Sequence, residues 1–292
     1  NLGVVFREQG EFKKSIDCYE KVIKIKPNFA KVHNNIGNVY KKLGENKKAI
    51  SHFKEALEIN PNSIDAQVNI SNVYISQLSD PKKAIEASMK SLKMHHEKSQ
   101  FINNSVSVYR LKHDMQQAKH LMSEKYNIDG IDHFIKVSKK ILDRNENKED
   151  NNDSYKKINL SAHEIEALLP YYKKNFIYKT PIIFTGCVNL KKNWKKIEEE
   201  YFGSNKQIIY IDNFLSDKAV EQLRKFCLNS KIWVEERRNK YLGSFSDKGF
   251  ISPIHLKIAN ELKDKLPKIF GKHRLSRFWA FKYDSFLGKG IN

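Results

Sequence analysis

Apolar residues recur at helical spacing from the first residues of the chain, and the pattern itself then repeats. Leu2-Gly3 with Phe6 aligns on Ile36-Gly37 with Tyr40, on Ile70-Ser71 with Tyr74, and on Ser105-Val106 with Tyr109, in steps of 34, 34 and 35 residues. A small residue follows in each unit, at Ser15, Ala49, Ala84 and Ala118, and four positions later come Tyr19, Phe53, Ser88 and Met122. Pro27 and Pro61 close the first two units. A fixed period of this length predicts a pair of short amphipathic helices per unit. The small residues let the two helices approach, the aromatic fills the gap between units, and proline ends the second helix. One such unit cannot bury its own apolar face, so the units stack into an all-α solenoid.

These positions resemble the tetratricopeptide repeat family over residues 1–128, with about four units, the first incomplete. The fourth lacks the glycine and the closing proline. An asparagine stands two residues before each Gly-type position, at Asn1, Asn35, Asn69 and Asn104, and Asn38 and Asn72 stand one residue after it. A carboxamide both donates and accepts hydrogen bonds, so a row of them along a groove can pair with the backbone of an extended peptide. Similar asparagine ladders line the superhelix of O-linked N-acetylglucosamine transferases. That resemblance implies peptide binding by Asn35, Asn38, Asn69, Asn72 and Asn104. Descent of the repeats by duplication would leave the same column of asparagines, as solvated groove residues.

Residues 129–144 carry Ile131, Phe134, Ile135, Val137, Ile141 and Leu142 at helical spacing, a helix expected to cap the solenoid. The polar run 145–154, NENKEDNNDS, reads as a flexible linker. Beyond it, Ser161 with Glu164 forms a capping box for a helix, TPIIFTGCV suggests a short strand and WKKIEEEYF a helix. QIIYIDNFLS reads as β-rich, Ser216 caps the next helix, a second helix follows, and SRFWAFKYDSF is a strand with Trp279, Phe281 and Tyr283 on one face.

The order IIYIDNFLS, KGFISPIHLKIANELKDKLP, FWAFKYDSFLGKGIN resembles the opening of the 2-oxoglutarate and Fe(II)-dependent, prolyl-hydroxylase-like oxygenases, over about residues 160–292. The resemblance implies a multidomain chain, with the solenoid followed by an α+β segment, residues 155–292, that begins a double-stranded β-helix (jelly-roll). It also implies Fe(II) and 2-oxoglutarate for an intact parent that hydroxylates a substrate. In that family a His-x-Asp motif and a later His hold the iron. This chain contains no His-x-Asp. His95-His96-Glu97 falls at the end of a repeat helix, and His255 and His273 have no carboxylate at ligand spacing. No catalytic residue and no metal ligand is therefore expected within the chain. Tyr283 is the one residue that the resemblance places near the co-substrate, and core packing would explain it as well. Because the chain begins inside a repeat and stops at the start of a strand, it is expected to be an internal piece of a longer protein.

Two other readings stay open. The repeats could carry the function, as an interaction protein or scaffold with a vestigial oxygenase domain; a peptide glycosyltransferase is a weaker third. The net charge of +19 comes from 45 Lys and only 8 Arg, scattered along the chain. That distribution speaks against nucleic acid and for an acidic protein or peptide partner. No stretch has the ~18–20 apolar residues of a membrane span. Cys18, Cys187 and Cys227 are far apart and odd in number, which fits reduced thiols and a cytoplasmic protein.

Overall fold

The computed structural model describes residues 2–99, 104–146, 157–173, 176–181, 186–205, 208–233, 235–237 and 241–283. Three helix pairs open the chain: α1 (Leu2–Glu8) with α2 (Phe12–Ile25), α3 (Ala30–Leu43) with α4 (Asn46–Ile59), and α5 (Ile64–Gln77) with α6 (Pro81–Ser99). The expected close approach is present. A Cβ on Gly37 would lie 2.5 Å from the Phe53 ring, and one on Gly3 would lie 2.7 Å from the Tyr19 ring. Gly10 and Gly44 make the turns inside the first two pairs at φ 79°, a backbone region open to glycine at low cost.

The fourth unit departs from the expected helix pair. Residues 105–107 form strand β1 (Ser105–Ser107), followed by one helix, α7 (Val108–Ser123). Asn104 is an exposed left-handed residue at φ 53°, so it leaves the helical asparagine column. The cause is a partner strand. After α8 (Ile131–Glu146), strand β2 (Lys157–Asn159) pairs antiparallel with β1, placing Val106 opposite Ile158. The Leu160 amide also donates to the Asn104 carbonyl at 2.8 Å.

Helix α8 continues through Asn145 and Glu146, with the Asn145 amide bonded to the Ile141 carbonyl. The first two residues of the expected linker are thus helical, and 147–156 lie outside the described residues. Helix α9 (Ala162–Lys173) begins with the expected capping box: Ser161 N–H donates to Glu164 at 2.8 Å and Glu164 N–H to Ser161 Oγ at 3.3 Å. Residues on both sides of the polar run share one core, in which Leu111, Leu121, Phe134 and Ile141 pack with Ile158, Leu168 and Tyr171. Phe134 stacks on Tyr171 at 3.9 Å between ring centres.

The remaining elements are α10 (Trp194–Gly203), α11 (Asp217–Asn229), β3 (Glu235–Arg237), β4 (Tyr241–Phe245), a 3-10 turn at Ser246–Lys248, α12 (Pro253–Lys265), α13 (Pro267–Phe270) and β5 (Trp279–Tyr283). Ser216 Oγ caps α11 as expected. The strands form one antiparallel sheet in the order β3-β4-β5. Three short strands are what the described residues show where the beginning of a jelly-roll was expected. The β-rich reading of QIIYIDNFLS also changes: residues 208–211 are irregular, and only Leu215 makes a bridge, to Val188. Of the TPIIFTGCV segment, residues 182–185 lie outside the described residues.

The aromatic face of β5 is reversed from the expected interior. Trp279 is 55% and Phe281 39% exposed, while Phe278 and Ala280 on the other face pack against Phe226, Trp233 and Leu242. The C-terminal region does not stand apart from the repeats. Leu92 of α6 belongs to that same cluster, and Ile75, Leu78 and Ala84 of the third pair pack with Ile251 and Leu256.

Candidate functional site

The site is built on the first helix of each repeat. Asn34, Asn38 and Lys41 recur at helical spacing along α3, and Asn69, Asn72 and Ser76 along α5. Asn69 bridges the two helices: its amide donates to Asn34 Oδ1 at 3.0 Å, and its carbonyl oxygen accepts from Lys41 Nζ at 2.9 Å. Asn72 reaches out of the repeats, its amide 3.4 Å from Asp247 Oδ2 in the 3-10 turn. Asn35 and Asn38 are half-buried and make no hydrogen bond among the described residues.

The expected row of free amides is therefore divided. Asn69 and Asn72 are engaged within the chain, Asn35 and Asn38 are not, and Asn104 sits in a turn. Asn1 lies outside the described residues. The Tyr283 backbone ends β5 opposite Tyr241, and its side chain lies outside the described residues.

A cleft of about 470 Å³ opens where the segment leading into β5 passes over α3 and α5. Lys41, Asn72 and Ser76 line one side; Arg274, Ser276 and Arg277 line the other. Asp247 is fully buried beneath it and binds Arg277 Nη2 at 2.6 Å. The Arg274 guanidinium lies over Gly44, 3.3 Å from where a Cβ would stand, and has no carboxylate partner among the described residues. Burial lowers the pKa of the Lys41 ammonium, and the nearby Arg277 and Arg7 guanidinia lower it further against the pull of Asp247. The cleft thus holds more positive charge than its one carboxylate neutralises. Ammonium and guanidinium donors with amide and hydroxyl groups between them suit an anionic oxygen group.

Sequence reading missed Arg274, Arg277 and Asp247, which lie about two hundred residues from the repeats they face. It also passed over His33, His52 and Glu55, the one group among the described residues with three possible metal-ligand atoms within 4.8 Å of one another. The available signal was His52-x-x-Glu55, which places both side chains on one face of a helix. The histidines that were weighed carry no ligand set. His255 is hydrogen-bonded to Ser252 and stacked on Phe278, His273 is exposed, and the His96 and Glu97 side chains lie outside the described residues.

Two family models match the chain. A model described as TPR repeat covers residues 3–44 and one described as tetratricopeptide repeat covers residues 30–63. The N-terminal region thus carries tetratricopeptide repeats. No curated protein matches the chain. No helix among the described residues is long and apolar enough to cross a membrane.

Proposed function

We propose that the chain is a protein-binding module whose repeats take a peptide bearing an acidic group, seated in the cleft between Lys41, Arg274 and Arg277. The observation that carries this reading is the excess of cationic donors around a cavity on the first helices of the second and third repeats. Asn35 and Asn38 extend the same helix face and are available to backbone groups of the bound segment. Fluorescence anisotropy with acidic peptides and their Gln and Asn counterparts tests the reading. The acidic peptide should bind at least tenfold tighter, the difference should shrink with salt, and Arg274→Ala should remove most of it. Equal binding of the two peptides would overturn it.

A second reading concerns the C-terminal region. The order α11, α12, β5 is the part of the likeness to the opening of a 2-oxoglutarate oxygenase that the described residues keep, while the strand expected before α11 is irregular. The implied iron finds no fit in the described residues of this region: the sequence has no His-x-Asp, and His255 is enclosed by phenylalanines. No iron or 2-oxoglutarate step is assigned to this chain. Assaying 2-oxoglutarate decarboxylation by the longest product of the gene decides between an active oxygenase and a scaffold.

A further inference from the structure

We infer that His33, His52 and Glu55 form a binding site for a divalent cation of the zinc class on the second repeat. His33 comes from α3, and His52 and Glu55 lie one turn apart on α4. Glu55 Oε2 is 2.8 Å from His33 Nδ1 and 3.3 Å from His52 Nδ1. A tetrahedral zinc ion with ligands at ~2.0–2.1 Å holds its ligand atoms about 3.3 Å apart, the His52 separation, and the His33 contact would open by about 0.5 Å to take it.

The hydrogen bonding around the three groups favours a cation between them. The other ring nitrogen of His33 lies 3.3 Å from the Pro27 carbonyl, which can only accept. Nε2 therefore carries a proton, which leaves Nδ1 as the nitrogen that can offer a lone pair to a cation. Both Nδ1 atoms are buried, and the group facing them is the Glu55 carboxylate, at an angle poor for a hydrogen bond. When both Nδ1 atoms are unprotonated, their lone pairs and the carboxylate oxygen repel one another, and a cation among the three removes that repulsion.

The surroundings fix this arrangement. Ser51 Oγ donates to the second Glu55 oxygen at 3.4 Å, and Tyr40 stacks on the His52 ring at 5.4 Å. Such outer contacts orient ligands in metal sites. Imidazole and carboxylate donors suit zinc and its neighbours, whereas magnesium and calcium take oxygen ligands. Glu55 is 40% exposed, which leaves an entry path and a fourth position open to solvent or to a partner.

Titration calorimetry of the full, EDTA-stripped, reduced chain with Zn²⁺ tests the site, alongside a Cys18→Ser/Cys227→Ser variant that removes the two half-buried thiols. One equivalent should bind to both. His52→Gln and Glu55→Gln should each weaken it at least tenfold with unchanged circular dichroism. Co²⁺ should give the visible absorption of a four-coordinate site, lost in the same variants. Unchanged affinity in the variants would overturn the proposal. So would a wild-type chain that gives no such Co²⁺ spectrum while NMR shows a His33 imidazolium paired with Glu55, since the cation would then be a proton.

Discussion

Ser88 Oγ donates a 2.6 Å hydrogen bond to the Ser246 carbonyl and accepts one of 2.9 Å from the Gly249 amide. The first two repeats place Tyr19 and Phe53 at this position, as fillers between units. The third repeat has a serine, and the space goes to the turn that follows β4. Gly249, at φ 94°, is drawn so close that a Cβ there would lie 2.5 Å from Leu92. One small side chain thus changes a repeat-to-repeat contact into the seat of the C-terminal region.

Ser88→Ala should destabilise the chain by about 1–3 kcal/mol, because it leaves the buried Gly249 amide unpaired. Ser88→Phe, which restores the aromatic of the earlier repeats, should cost more, since the ring and the turn compete for one space. Urea unfolding followed by tryptophan fluorescence checks both: Trp233 packs beside Leu92 and should report the loss. A Phe variant as stable as wild type would show that the turn is not seated there.

Gly37→Ala should lower stability by about 1–3 kcal/mol through overpacking against Phe53. A Gly37→Ala/Phe53→Leu double variant should recover part of that loss, since the clash is with the ring itself. Additive destabilisation in the double-mutant cycle would contradict the contact.

Asp114 lies at the centre of a buried polar network. It accepts from Arg110 Nε at 2.6 Å and from Tyr172 Oη at 2.7 Å, and its other oxygen faces His113 at 3.3 Å. Burial works to raise its pKa, but Arg110 and His113 outweigh it and hold the carboxyl well below the usual range. Asp114→Asn should cost about 3 kcal/mol, the low end for breaking a buried ion pair, because Arg110 keeps some solvent contact. Chemical denaturation measures it; a cost under about 1 kcal/mol would assign the pair no more weight than an exposed one.

Stability should fall as pH drops below about 6.5. Burial is the leading cause that brings His113 down to about 4, with Asp114 opposing, and His255 down to about 3. An unfolded chain takes up both protons near pH 6.5, whereas the folded chain resists them until lower pH. Between those values the unfolded state binds more protons. Stability is therefore complete above about 6.5 and declines on acidification, by up to ~1.4 kcal/mol per pH unit for each histidine. Thermal melts from pH 7.5 to 4.5 should show the decline, with a shallower slope for His255→Phe, whose ring would remain among Phe226, Phe250 and Phe278. Identical slopes would remove His255 from this account.

What the sequence determined by itself is local or periodic. The helix pairs, the glycine contacts of Gly3 and Gly37, the Ser161–Glu164 box and the Ser216 cap were all legible, because each depends on residues a few positions apart or on a repeated unit. The fourth unit misled, because helical periodicity near Ser105 competes with a strand partner that only arrives at Lys157. The asparagine column was legible as a pattern but not in its use: Asn69 is claimed by Lys41 and Asn34, and Asn72 by Asp247. Tertiary structure alone decided that the C-terminal region packs on the third repeat, that Arg274 and Arg277 face Lys41, and that His33 meets His52 and Glu55. The physical reason is common to all three. Periodicity states which face of a helix is apolar, but what covers that face depends on contacts between residues far apart in the chain, and these leave no spacing to read.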